Sequence, residues 1–552
     1  MSIHLPRKTF PAVRHGRSQP PPPPSNSLIV DQFIIISMRL FITLTTALLS
    51  PLFLLSQSAK AAAGDPPRRP NIVVILVDDM GWSDLGAYGS EVATPNLDRL
   101  AREGMRFRQF YNTAKCFPSR ACLLTGRYAQ EVDMWKSPAA MNNHTTFGAA
   151  LQQAGYYTVA VGKHHGNENL YREGFDHYYG LKDGASNHFN PGGTIEEGFA
   201  QKNRVRTYAF DAREESPWVP QDPDFYTTDT YTDWAIELLE QKPADKKNFL
   251  LYLSYTAPHD PLQAWPEDIF KYEGVYDAGY EPIRQARWEK QQAIGLVTED
   301  YELSASSHAN WSQLPEEEQS KEIRRMQVYA AMIDSLDQNL GRLFTWLQDN
   351  GFWENTLILF MSDNGASAED AEHGHGEIGS PSMWASLLSN WANVANTPLR
   401  YYKNDSYEGG IRSPMIAWWP GHIPANSFTN YEGHFIDILP TLLDVSGASY
   451  PSTHNGHSVG PVSGKSLVPV LTDNGPGQRE GPLYFQWKKG GAVIQDGWKI
   501  VRSQGGGPWQ LYHLSEDPAE MNNLAGEHPD RLQTMASQWQ TWFTATTGEQ
   551  SP

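Results

Sequence analysis

Cysteine is nearly missing: Cys116 and Cys122 are the two in a chain of 552 residues. That excludes a disulfide framework, and side chains six apart at one helix start do not face each other. Positive charge is short as well, with 44 Lys and Arg against 63 Asp and Glu and a formal net charge of −19. Such a surface repels polyanions, so nucleic acid is excluded as a partner. An anionic ligand has to be held by a local basic pocket, because the far field works against it. Internal repeats of solenoid length are lacking, which excludes a stacked-repeat architecture. The apolar stretch at residues 40–55 is too short to span a membrane well.

What is present is a globular composition, 40% hydrophobic and 19% charged, in a length that suits two domains. The 18 Trp and 25 Tyr suit both large cores and aromatic-lined clefts. Residues 1–37, basic and irregular with the five-proline run Pro20–Pro24, read as an over-extension of the reading frame. Met38-Arg39, the apolar 40–55 stretch and the small residues of Ser58-Ala59-Lys60-Ala61-Ala62-Ala63 read as a signal peptide at 38–63. The alternative is a retained anchor. The expected location is secreted or periplasmic, with no stable membrane span in the mature chain.

Four short runs rich in β-branched or apolar residues, 71–77, 157–161, 248–255 and 356–361, read as buried strands. Helical patterns at 94–103, 145–153, 229–240 and 323–350 alternate with them. The fold class is therefore α/β, a large mainly parallel central sheet flanked by helices. In such sheets ligands sit beyond the carboxyl ends of the strands. The four strand ends carry Asp78-Asp79, Gly162-Lys163-His164-His165, Ala257-Pro258-His259 and Ser362-Asp363-Asn364. Adjacent carboxylates at a buried strand end repel each other unless a cation neutralises them; alone, an Asp-Asp pair reads rather as a cap or turn, and it is the three further polar strand ends that favour a cation. Residues 414–419 read as another strand, and Gly409-Gly410 as a close backbone approach. Beyond 470, short strands at 482–487, 492–494, 498–502 and 511–514 read as a small antiparallel sheet, followed by a helix over 529–542.

The segment Cys116-Phe117-Pro118-Ser119-Arg120-Ala121-Cys122-Leu123-Leu124-Thr125-Gly126-Arg127 reads as a loop turning into a helix. Pro118 suits the first helical position, and Gly126 can end the helix. Cys116 then sits just ahead of a helix N-terminus, where an anion is favoured, with Arg120 close by. This segment resembles the signature of the formylglycine-dependent sulfatases, of the alkaline phosphatase-like superfamily. The resemblance implies that a separate formylglycine-generating enzyme oxidises Cys116 to an aldehyde whose hydrate is the nucleophile. One hydroxyl attacks sulfur and the alcohol leaves; a histidine then takes the proton from the other, and sulfate is expelled.

Asp78, Asp79, Asp363 and Asn364 are all oxygen donors, which suits Ca²⁺ or Mg²⁺ rather than zinc; the resemblance implies one Ca²⁺ with these four as ligands. It also assigns Lys163 and Lys403 to the sulfate, Arg120 to the neighbourhood of formylglycine and His165 to the base. His259, partnered by Lys403, maps to the leaving oxygen. Two departures stand out. His164 fills a place that is often aromatic, and Tyr407 stands where a histidine commonly precedes Glu-Gly-Gly. His373-Gly374-His375-Gly376-Glu377 reads as a loop rather than a transition-metal site. The implied domains are a catalytic domain over 64–470 and a C-terminal α+β subdomain over 471–552.

The expected function is hydrolysis of an aryl or carbohydrate sulfate monoester to alcohol and inorganic sulfate. The alternatives are a phosphodiesterase or phosphonate monoester hydrolase of the same superfamily, and a glycan-binding protein without catalysis. The expected partners are a sulfated small molecule or glycan and the generating enzyme. Residues 181–228 and 272–325, rich in aromatic and charged side chains, are where specificity is expected to reside.

Overall fold

A computed structural model describes residues 69–550 apart from 202–204, 299–300, 473–474 and 476. The over-extension and signal peptide expected over residues 1–63 lie outside the described residues. Every residue of the strand Asn71–Val77 is buried. Ile72, Val74 and Leu76 enter one hydrophobic core and Val73, Ile75 and Val77 the other. A strand covered on both sides has no polar face, which is why its sequence does not alternate. Phe249–Ser254 and Thr356–Ser362 pair with it in parallel on either side. Tyr157–Gly162 and His177–Leu181 extend the parallel part outward from Phe249–Ser254.

The full sheet has ten strands, and it is not parallel throughout. Met415–Trp418 runs against both of its neighbours, Thr356–Ser362 and Met105–Phe107. Tyr208–Phe210 and Arg213–Glu215 close the opposite edge as an antiparallel hairpin. The sheet is thus mixed, with its parallel strands at the centre, where both faces are covered by helices. Pro95–Glu103, Thr227–Glu240 and the 34-residue helix Glu316–Asp349 contribute to one core. Cys116–Thr125, Phe147–Gln153 and Ile438–Ser446 contribute to the other. The long helix begins at Glu316 rather than 323, because Glu316, Glu317 and Glu318 form its first turn. Acidic side chains favour that end of the dipole but carry no apolar periodicity to reveal it.

Leu483–Trp487, Gly490–Gln495, Trp498–Arg502 and Gln510–His513 form the expected antiparallel meander. Trp539, on the helix Pro529–Thr547, donates its indole N–H to the Phe485 carbonyl at 2.9 Å. The meander enters the same core as the Cys116–Thr125 helix. Lys499, fully buried, lies 2.8 Å from both Glu408 and Glu520. Among the described residues no helix is long and apolar enough to cross a membrane.

Three glycine positions near the site are set by contact. A Cβ on Gly409 would meet the Tyr401 carbonyl oxygen at 2.1 Å, and one on Gly410 would meet that of Asp405 at 2.0 Å, the close approach expected of the pair. Gly162, which ends its strand just before Lys163, has φ +101°, and a Cβ there would lie 1.9 Å from the Ser254 carbonyl oxygen. Gly162→Ala is therefore expected to cost at least about 2 kcal/mol, from backbone strain added to a steric clash. Urea unfolding reads the loss, and an unchanged midpoint would contradict it.

Candidate active site

The carboxyl ends of the four central strands deliver their polar residues to one place. Asp79 leaves its strand with φ 64° and His165 turns with φ 63°. These left-handed turns redirect the chain as it leaves the sheet. The helix Cys116–Thr125 points its N-terminus at the same place, but it begins at Cys116 itself, with Lys115 as N-cap. Pro118 is therefore the third helical residue rather than the first. Nothing is lost, because the third N–H of a helix has no intrahelical partner either. Gly126 ends the helix at φ 67°, as expected.

Cys116 Sγ lies 3.2 Å from His165 Nδ1. The thiol is 1% exposed. Burial pushes it up from its ordinary pKa, against the pull of Lys163 and Lys115. Burial, with Lys163 and Arg120 adding like charge, holds the His165 imidazole well below its ordinary value. His259 goes the other way. Burial opposes its charge, but Asp79, Asp78 and Asp260 together raise it. Its Nε2 is 3.5 Å from Asp79 Oδ2, and its Nδ1 is 2.6 Å from the Asp260 carbonyl oxygen.

Arg120 is buried beneath the site. Its Nε donates to Asp363 Oδ2 at 2.9 Å, and its Nη1 donates to the Lys163 carbonyl at 2.8 Å and to Ser254 Oγ at 2.5 Å. Nη2 lies 2.8 Å from Asp363 and 3.7 Å from Asp78 Oδ1. Lys163 pairs with Asp78 Oδ2. Lys403 donates to Asp79 Oδ2 at 2.7 Å and also faces Glu369 at 3.5 Å. Asn364 Nδ2 donates to Asp79 Oδ1 at 2.6 Å, and the Asp79 N–H to Asp363 Oδ1 at 3.3 Å.

All ten residues expected at the site therefore meet: Asp78, Asp79, Cys116, Arg120, Lys163, His165, His259, Asp363, Asn364 and Lys403. Among them Asp78 Oδ1 and Asn364 Oδ1 are buried without a hydrogen bond. Two such oxygens beside two more carboxylates are a donor set for a hard cation. Asp363 is pushed up to about 6, foremost by burial and then by the Asp78 charge. The donors present fit Ca²⁺.

His164 turns away from Cys116 and places its Nε2 3.1 Å from Glu168. His373 stacks on Trp384 in a short hairpin, so that part of its segment is strand rather than loop. Tyr407 caps a four-residue helix and donates to Gln510 at 2.6 Å. Three residues of the site were missed. Glu369 faces both Lys403 and Lys115, the latter at 3.4 Å; no spacing marks it. Ser254 holds Arg120 and ends a strand, so the strand-end rule could have found it. His188 places Nε2 3.2 Å from the His259 carbonyl oxygen, from a loop with no motif.

A family model described as sulfatase matches residues 70–448. The chain belongs to the sulfatase family. A second model, the C-terminal region of N-sulphoglucosamine sulphohydrolase, matches residues 400–541. An uncharacterized sulfatase of Schizosaccharomyces pombe is 30% identical over 528 residues, 85% of this chain and 92% of its own. The arylsulfatase of Klebsiella aerogenes is 31% identical over 440 residues, 72% of this chain and 91% of its own. The crystal structure of Ps i-CgsB in complex with k-i-k-neocarrahexaose superposes with a TM-score of 0.63 at 25% identity, over 86% of this chain and 93% of that one. This sulfatase is accordingly a sulfuric ester hydrolase on the fold expected of its family.

Arg120→Met would leave Asp363 and Asp78 buried without their guanidinium. Breaking a buried pair this way costs about 3–5 kcal/mol, to be read as a fall in the denaturation midpoint. A midpoint equal to that of the unaltered protein would show that Arg120 does not organise the site.

Proposed function

We propose that this sulfatase hydrolyses aryl or carbohydrate sulfate monoesters, using formylglycine made from Cys116 and a Ca²⁺ held by Asp78, Asp79, Asp363 and Asn364. The observation that carries the reading is Cys116 Sγ 3.2 Å from His165 Nδ1, beside two buried oxygens that accept no hydrogen bond. The named relatives, an arylsulfatase and a carbohydrate-bound neighbour, support the substrate class. Export from the cytoplasm, by the leader expected at 38–63, belongs to the same proposal.

A serine in place of Cys116 would offer a single hydroxyl. The aldehyde hydrate supplied by formylglycine has two, one to attack sulfur and one to lose a proton. Bound Ca²⁺ supplies Lewis-acid polarisation of a sulfate oxygen. The chain's own residues do the rest. His165 Nδ1, neutral because it is buried among cations, accepts a proton from the nucleophile side. His259, shifted up by the carboxylates of Asp79, Asp78 and Asp260, is placed to donate a proton toward the leaving oxygen. Two histidines pushed to opposite sides of their common value divide the base and acid roles. Lys163 and Lys403 supply ammonium groups for the anionic oxygens, and Arg120 fixes the carboxylates from below.

Protein made with a formylglycine-generating enzyme is expected to carry the aldehyde at position 116 by peptide mass spectrometry. Cys116→Ser is expected to lower sulfate release from an aryl sulfate by on the order of 10³-fold or more. Chelation should abolish turnover and Ca²⁺ should restore it. Active protein with an unmodified thiol, or a faster rate on the matching aryl phosphodiester, would overturn the reading.

The pH profile gives a separate check. Base activity falls away only as pH drops through the lowered His165 value. The profile of kcat/KM is therefore expected to stay level as pH falls through 6.5, with its acid limb below. An acid limb centred on 6.5 would contradict the assignment.

A further inference from the structure

Away from the catalytic residues, three side chains from three separate segments converge. His144 precedes the helix Phe147–Gln153. Glu173 closes the short helical turn Leu170–Glu173, and His454 belongs to the hairpin of Thr453–His454 with His457–Ser458. Glu173 Oε2 lies 3.2 Å from His144 Nε2 and 2.9 Å from His454 Nε2. One donor atom from each residue falls within 4.8 Å of the other two. Their side chains are 9%, 11% and 8% exposed, so the group is shielded but reachable from solvent.

We infer that His144, Glu173 and His454 form a second metal site, for Zn²⁺, that fastens the 453–458 hairpin to the segment around Glu173. Two imidazoles and one carboxylate are a zinc donor set, unlike the all-oxygen cluster at the strand ends. Zinc bonds of about 2.0–2.2 Å in tetrahedral geometry hold their donors roughly 3.3 Å apart. The two measured separations need to open by only a few tenths of an ångström.

The Glu173 carboxylate faces both rings. Asn455 Nδ2, 3.4 Å from Glu173 Oε2 and 3.1 Å from the Arg172 carbonyl oxygen, steadies it further. Among the described residues no protein acceptor engages Nδ1 of either histidine. Each neutral ring can therefore carry its proton on Nδ1 and present a lone pair at Nε2, with no net proton loss. Water completes the fourth position.

The test uses the full chain carrying Cys116→Ser, so that the active-site thiol does not compete, stripped of metal and kept in excess Ca²⁺. Titration with Co²⁺ is expected to give one equivalent with the visible bands of tetrahedral cobalt, displaced by Zn²⁺. Elemental analysis after dialysis against Zn²⁺ should read one zinc per chain. His454→Gln and Glu173→Gln, each checked for an unchanged circular dichroism spectrum, are expected to lose the bands and weaken binding at least 10-fold. Asn455→Ser should keep the bands. Absence of a tetrahedral equivalent in the parent, or equal affinity in the parent and both ligand variants, would overturn the inference.

Discussion

Three carboxylates, Asp78, Asp79 and Asp363, are buried at the ends of two adjacent strands, and everything around them answers that constraint. Taking charge out of water is costly unless it is paired and fully hydrogen-bonded. Arg120 does most of the pairing from a helix on one face of the sheet. It reaches Asp363, the Lys163 carbonyl and Ser254, and so links the ends of three strands to its own helix. Lys163 and Lys403 complete the balance from above. The helix that presents Cys116 is thus held by the same guanidinium that orders the oxygen donors.

The site inverts the character of the molecule as a whole. A chain with formal charge −19 keeps Arg120, Lys163 and Lys403 in a nearly dry pocket, where their fields are strong at short range and screened beyond it. Affinity for an anionic ester then depends on fit at the pocket rather than on capture from afar. The two histidines follow the same logic. His165 sits among cations and His259 among carboxylates, so one imidazole is shifted down and the other up within one cleft.

The central strands were legible because burial on both faces leaves an uninterrupted apolar run, and their polar exits were legible because a parallel sheet puts ligands there. All ten expected site residues follow from those exits, from the cysteine segment and from the family resemblance. Other features leave no such trace. Met415–Trp418 reads as a strand, but nothing local says that it runs against its neighbours. The start of the long helix at Glu316 is acidic rather than apolar. Glu369 and His188 arrive from loops, where tertiary geometry alone brings them to Lys403 and His259.

Lys499 has a consequence beyond packing. It belongs to the C-terminal meander, yet its ammonium is sealed between Glu408 and Glu520, and Glu408 opens the four-residue helix that follows the Lys403 loop. Phe117, next to the nucleophile position, packs on Trp487 of the same meander at 5.4 Å. A gene fragment that stopped short of the meander would leave Glu408 with Arg412 but without its ammonium partner, and strip the aromatic backing from the reactive helix. The two ends of this gene therefore have to be inherited, exchanged or engineered as one piece.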